Sequence, residues 1–258
     1  MPTAVADGVE LYYDSEGDGE TVAFVGDAGY GAWQWGWQHA AVAGPYESLV
    51  TDLRGAGRSD APAGPYSVET LVSDLVAVLA DANVRKAHLV GFGLGGLVAL
   101  EAARTTNRVR SLVLVGTAAS GAEIDPEPLS AAPDDPAALR ESLAPALSEE
   151  FRAEQPDVVE QLVSWRERED ADPEAWAAQA AAVADYDAGP LYEVTVPTLV
   201  LHGGDDPVWP VEGGRALAEG LPRGEFESFA GARHLVTVER SRLVNDALVS
   251  FLESLDDD

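Results

Sequence analysis

The clearest chemical spacing in the chain lies in one strand-to-helix segment, Ala87-His88-Leu89-Val90-Gly91-Phe92-Gly93-Leu94-Gly95-Gly96-Leu97-Val98-Ala99-Leu100. Gly91, Gly93 and Gly96 fit G-x-G-x-x-G, a pattern that lets backbone N–H groups approach a pyrophosphate. That fingerprint belongs on the first strand and helix of its fold, with an acid roughly 20 residues on. Here several strand-like runs come first and no Asp or Glu occurs from Ala102 to Ala122, which argues against a nucleotide. The same segment also fits the nucleophile elbow G-x-S-x-G, with Gly91 and Gly95 outside and Gly93 in the centre. Glycine offers no side chain, so no covalent intermediate can form at residue 93. It also relieves the unfavourable backbone angles of such a turn, worth about 1–3 kcal/mol to any other residue. The chain has no cysteine, and His39, His88, His202 and His234 show no metal-ligand spacing, so neither thiolate chemistry nor a metal site is expected.

The elements around this segment read as alternating strands and helices, the mark of a mostly parallel sheet. A hairpin is expected at Asp7-Gly8 with a strand over Val9–Tyr13, followed by strands at Thr21–Val25, Glu47–Leu53, Ala87–Phe92, Val109–Val115, Pro197–His202 and Glu225–Phe229. Helices are expected at Gln34–Ala43, Ser67–Ala80, Leu94–Thr105, Val211–Leu221 and Arg240–Leu255. In the second of these, Val68, Leu71, Leu75, Val78 and Leu79 recur at the spacing of one helix face. From about Gly121 to Pro190 the alternation stops; the stretch is rich in Ala, Pro and acids, carries Trp165 and Trp176, and reads as a helical insertion.

Taken together these motifs resemble the α/β-hydrolase superfamily, in its lid-containing esterase- and lactonase-like branch, over almost the whole length. Thr21 to Trp35 resembles the family's oxyanion loop, Asp52-Leu53-Arg54-Gly55-Ala56-Gly57-Arg58-Ser59-Asp60 the loop after the next strand, Pro197 to Pro210 the strand and loop of the catalytic acid, and Gly231-Ala232-Arg233-His234 the loop of the catalytic histidine. The resemblance implies an α/β-hydrolase fold: a mostly parallel central sheet flanked by helices, with a helical lid at 121–190 inserted after the sixth strand into a core formed by 1–120 and 191–258. It further implies Asp206 as the acid, His234 as the base, and Gly93 as a vacant nucleophile position. Oxyanion N–H groups would come from Leu94 and from Asp27 or Ala28. Where relatives commonly carry His-Gly, this chain has Asp27, whose charge would oppose acyl transfer if it points inward. Tyr30, Trp33 and Trp209 would give an aromatic mouth, joined by Trp165 and Trp176 if these face substrate rather than the core of the insertion. No cofactor is implied. Three functions fit: general-base chemistry by His234 and Asp206 on a small apolar or aromatic molecule, with a water in the void at Gly93; a catalytically inactive binding or sensing protein; or a serine esterase or lactonase in which Gly has replaced the nucleophile.

The charge balance narrows the partners. Lys and Arg number 16 against 45 Asp and Glu, a formal net charge of −29, spread along the chain except for the terminal run Asp256–Asp258. Such a surface repels phosphate backbones and anionic lipids, so the expected partner is a small molecule rather than nucleic acid or membrane. The N-terminus carries acids and no basic, then apolar, leader, so a cytoplasmic location is expected; oligomeric state is not legible. Dispersed acidity of this size fits adaptation to concentrated salt, where the Debye length falls to about 3 Å at 1 M. Thermal unfolding in rising KCl tests this: the midpoint should climb steeply, and a midpoint indifferent to salt would exclude it.

Overall fold

The computed structural model describes residues 2–122 and 124–256, so Asp257 and Asp258 of the terminal acidic run lie outside it. Strands β1 (Thr3–Ala6) and β2 (Val9–Glu16) form the expected hairpin, with Asp7 and Gly8 both at positive φ, 49° and 83°, as a two-residue turn of this hand requires. The remaining strands are β3 (Glu20–Val25), β4 (Tyr46–Thr51), β5 (Ala87–Phe92), β6 (Val109–Val115), β7 (Thr198–Gly203) and β8 (Gly224–Phe229). They join one eight-stranded sheet in the order β1-β2-β4-β3-β5-β6-β7-β8, parallel from β4 to β8. The central parallel strands β5, β6 and β7 read as mainly apolar runs because helices cover both faces, and β5 is buried at every residue, whereas the edge strand β8 carries Glu225 and Glu227.

The helices around the sheet are α1 (His39–Val42), α2 (Val68–Asp81) and α3 (Leu94–Thr105). Ser67 caps α2 by accepting from the Thr70 N–H, and Leu71, Leu75, Val78 and Leu79 bury its apolar face. Between β6 and β7 the chain forms α4 (Pro136–Glu141), α5 (Leu143–Ala146), α6 (Glu149–Glu154), α7 (Pro156–Glu169) and α8 (Pro173–Ala184), with no strand among the described residues. After β7 come α9 (Val211–Gly220), α10 (Val236–Glu239) and α11 (Ser241–Asp256).

Two expected elements differ. The helix at Gln34–Ala43 is a 3-10 turn at Ala32–Trp35 followed by the short α1. Tertiary contacts override the local pattern there: Trp35 is buried between Phe24 and Phe92, at ring separations of 5.1 and 6.2 Å, and the Gln34 side chain reaches back to the Asp27 N–H. Strand β4 stops at Thr51 rather than Leu53 because the buried Asp52 carboxylate turns the chain, accepting from the N–H groups of Ala32 (2.6 Å) and Arg58 (2.9 Å). Asp52 thereby ties the loop after β4 to the loop after β3, the loop on which the site depends.

Candidate active site

Strand order and register bring the site together. From the adjacent strands β3 and β5 the chain crosses over in opposite directions, back to β4 and on to β6, so a crevice opens at the carboxyl ends of β3 and β5. Val25 pairs with Gly91, so Asp27 and Gly93 each stand two residues beyond a paired position and face one another. Gly93 holds the tight turn into α3 at φ 49°, ψ −113°, a conformation that costs side-chain-bearing residues. Its N–H donates to the Val115 carbonyl at 3.0 Å and its own carbonyl accepts from the buried Thr117 hydroxyl at 2.9 Å. A Cβ at residue 93 would fall 2.0 Å from Asp27 Oδ1, so the space above the turn is filled by the Asp27 carboxylate. The water expected there has no room.

Asp27 is 1% exposed and its charge is fully engaged. Oδ1 accepts from the N–H groups of Ala28 (2.7 Å) and Leu94 (2.8 Å), and Oδ2 lies 2.9 Å from His234 Nε2. On its other side His234 Nδ1 is 2.8 Å from Asp206 Oδ2, and Asp206 Oδ1 accepts from the N–H groups of Val208 (2.9 Å) and Trp209 (3.0 Å). An ionised carboxylate only accepts, so two of them satisfy both ring nitrogens when both carry a proton. Burial alone would lower the His234 pKa; the Asp206 and Asp27 carboxylates outweigh it and push it up to about 10. Burial alone would raise Asp206, but His234 draws it below the usual carboxylate value. The result is a buried Asp27–His234–Asp206 triad. His202, also buried, lies beside it, its Nε2 bonded to the Trp209 carbonyl at 2.7 Å and 3.7 Å from Asp206 Oδ2, its pKa lowered by burial.

The two N–H groups proposed to hold an oxyanion therefore point at one place, and they come from Ala28 and Leu94. The Asp27 N–H is directed elsewhere, to Gln34 Oε1 at 2.9 Å. Asp27, expected as a possible lining residue, is instead the occupant.

An alpha/beta hydrolase family model matches residues 22–247. The chain belongs to the α/β-hydrolase family. It is 27% identical over 263 residues to 3-oxoadipate enol-lactonase 2 of Acinetobacter baylyi, covering 97% of this chain and 96% of that protein. The enol-lactonase of Burkholderia xenovorans LB400 superposes with a TM-score of 0.87 at 27% identity, covering 98% of this chain and all of the other. A thermophilic esterase from Thermogutta terrifontis superposes at 0.84 with 27% identity over 98% of this chain and 96% of its own. These likenesses extend over the fold, including the insertion.

Against the family's architecture the expected aromatic mouth is closed. Tyr30 is buried under the Arg166 guanidinium, 4.9 Å from its ring centroid, and Trp33 packs on Tyr30 and donates from Nε1 to Asp170 at 2.8 Å. Arg166 in turn donates to Asp170 (2.6 Å), to the Leu129 and Leu139 carbonyls and to Ser142, so one buried ion pair fastens the insertion to the loop after β3. Trp176 presses on Gly29, and the gap it shares with Ala28, Tyr30 and Arg166 leaves no room for a ligand. Two aromatic assignments need correction. Trp165 packs edge-on against Trp37 at 5.5 Å over an outer groove, and Trp209 is wholly buried, its backbone N–H holding Asp206 rather than its ring meeting a substrate.

Several positioning residues escaped the sequence reading. Gln34 orients Asp27; Gln179 accepts from the Gly29 N–H at 2.6 Å and donates to the Arg54 carbonyl at 2.7 Å; Phe92 stands edge-on to His234 at 4.9 Å. Gln34 lies seven residues from Asp27 and had a legible signal: a polar side chain between two tryptophans in a segment that must be buried. Gln179, 150 residues from the Gly29 it braces, had none.

Proposed function

We propose that this family member binds a small apolar or aromatic molecule and does not carry out acyl transfer. The observation that carries the reading is the Asp27 carboxylate seated on the Ala28 and Leu94 N–H groups and bonded to His234. A substrate carbonyl oxygen needs those two donors, and a base needs an imidazole nitrogen with a free lone pair. Here the donors are taken by an internal anion and the ring is held as imidazolium. The general-base reading, with a water beside Gly93, has correspondingly little support. A small-molecule ligand is supported by the relatives, named for enol-lactonase and esterase activity, and by a charge that disfavours polyanions.

Hydrolysis of p-nitrophenyl acetate and of a simple lactone in molar KCl tests this with the parent protein, Gly93→Ser and His234→Ala. All three should release product at the same background rate. Turnover by the parent that disappears in His234→Ala would restore the general-base function. A product burst from Gly93→Ser alone would identify a serine hydrolase that has merely lost its nucleophile.

A further inference from the structure

We propose that the cleft between the start of the helical insertion and α9 is the binding site, and that it takes a small apolar molecule that is uncharged or cationic. This rests on the binding reading and gives it a place, because the crevice above β3 and β5 is filled. The cleft has a volume of about 710 Å³, within the range of about 300–1,000 Å³ usual for small-molecule sites. One wall is the chain leaving β6, with Ala118, Ala119 and Ile124; the other is α9, with Ala216 and Leu217, and Leu191 lines it as well. Among the described residues, only Ser120 and Glu212 bring polar side chains to it.

Other open grooves are less suited. One of about 530 Å³ along β8 and α11 is lined by Glu225, Glu227 and Asp246, and one of about 220 Å³ beside Trp33 and Trp165 is smaller. The ligand's charge follows from what faces it. Among the described residues lining the cleft Glu212 is the one ionisable group, and the chain around it carries a net charge of −29, so an anionic ligand is repelled.

The cleft is built on the two segments that also support the triad. Ala118 directly follows Thr117, whose hydroxyl holds the Gly93 carbonyl, and Pro210 directly follows Trp209, whose N–H holds Asp206. It also spans the connection into the helical insertion, where Ser120 and Asp187 form an isolated bridge and Ala188 donates to the Ala119 carbonyl at 2.9 Å. An occupant would therefore touch the entry and exit of the insertion at once.

The test uses two probes that share one aromatic body and differ in charge: uncharged N-phenyl-1-naphthylamine and its anionic sulfonate, 8-anilino-1-naphthalenesulfonate. Fluorescence titration of the parent in 0.1 M KCl, where the Debye length is about 10 Å and charge is still felt, should show saturable binding of the uncharged probe, and of the sulfonate at least about tenfold more weakly. Ala216→Phe fills the cleft from an exposed helix position; it should weaken the uncharged probe at least about tenfold while leaving the urea midpoint unchanged. Asp27→Ala should leave probe affinity as in the parent. Absence of saturable binding, equal affinity for the sulfonate, or indifference to Ala216→Phe would overturn the proposal. Probe binding altered by Asp27→Ala but not by Ala216→Phe would place the ligand in the crevice, leaving the binding reading intact and removing the cleft. Histidine-dependent ester turnover by the parent would instead remove the binding reading itself.

Discussion

Changing Asp27 to Ala and Gly93 to Ser together should produce an esterase where neither single change does. The double variant should release a stoichiometric burst of p-nitrophenol from p-nitrophenyl acetate. Its rate should exceed the parent's by at least about 10²-fold, the contribution commonly lost with one oxyanion-hole donor. The reasoning is spatial. Gly93→Ser alone places a Cβ 2.0 Å from Asp27 Oδ1, so the new hydroxyl and the old carboxylate compete for one space. Even if Asp27 swings aside, the residue at φ 49° bears backbone strain of about 1–3 kcal/mol, which urea unfolding should register as a loss of stability. Asp27→Ala alone frees the Ala28 and Leu94 N–H groups and one side of His234 but supplies no nucleophile. Only the pair leaves a hydroxyl, a neutralisable imidazole and two free donors around one point. Equal activity in Gly93→Ser and in the double variant would mean that Asp27 does not obstruct the site.

His234→Ala should be among the most destabilising single substitutions in the protein, at about 3–5 kcal/mol, the usual cost of leaving a buried charge without its partner. Here two carboxylates are left, those of Asp27 and Asp206, held by backbone N–H groups and, for Asp206, by the His202 ring at 3.7 Å. The effect should also carry a pH signature. The folded-state pKa of His234 lies near 10, above its ordinary value of 6.5. Its contribution to stability is therefore complete below pH 6.5, declines between 6.5 and 10, and is gone beyond. Asp206, held below 3.8, contributes in the opposite sense: its share is present above pH 3.8 and is lost as pH falls through its folded value. Urea unfolding of the parent from pH 6 to pH 10 should thus show falling stability, with a flatter profile in His234→Ala. Parallel profiles would show that the ring is not held as imidazolium.

Most of the fold was legible because its signals are local. Leu94–Thr105 and Val109–Val115 form with the expected boundaries, and Ser67 caps α2 as a serine before an apolar helix face should. The site was legible in part. An aspartate where the family resemblance implies histidine, and a glycine where it implies a nucleophile, were visible as separate oddities; that they occupy one space depends on the register Val25 with Gly91, which no spacing along the chain encodes. The aromatic residues were harder for the same reason. Trp209 and Trp165 sit in suggestive sequence neighbourhoods, but whether an indole faces a core, a groove or a ligand is decided by elements far away in the chain. The latch between Arg166, Asp170 and Trp33 joins positions more than 130 residues apart, and composition says nothing about it.

The pairing of Val25 with Gly91 has a consequence for how such proteins are compared. It provides two equivalent mounting points, one at the tip of each strand, from which a side chain can reach the same spot over the sheet. A functional group can therefore vanish from one column of an alignment and return in another, with the backbone unchanged and the spot still filled. Inspection confined to the elbow column would record this chain as having simply lost a residue. Superposition across the gap between strands finds the space above residue 93 filled from the neighbouring strand tip, by the Asp27 carboxylate.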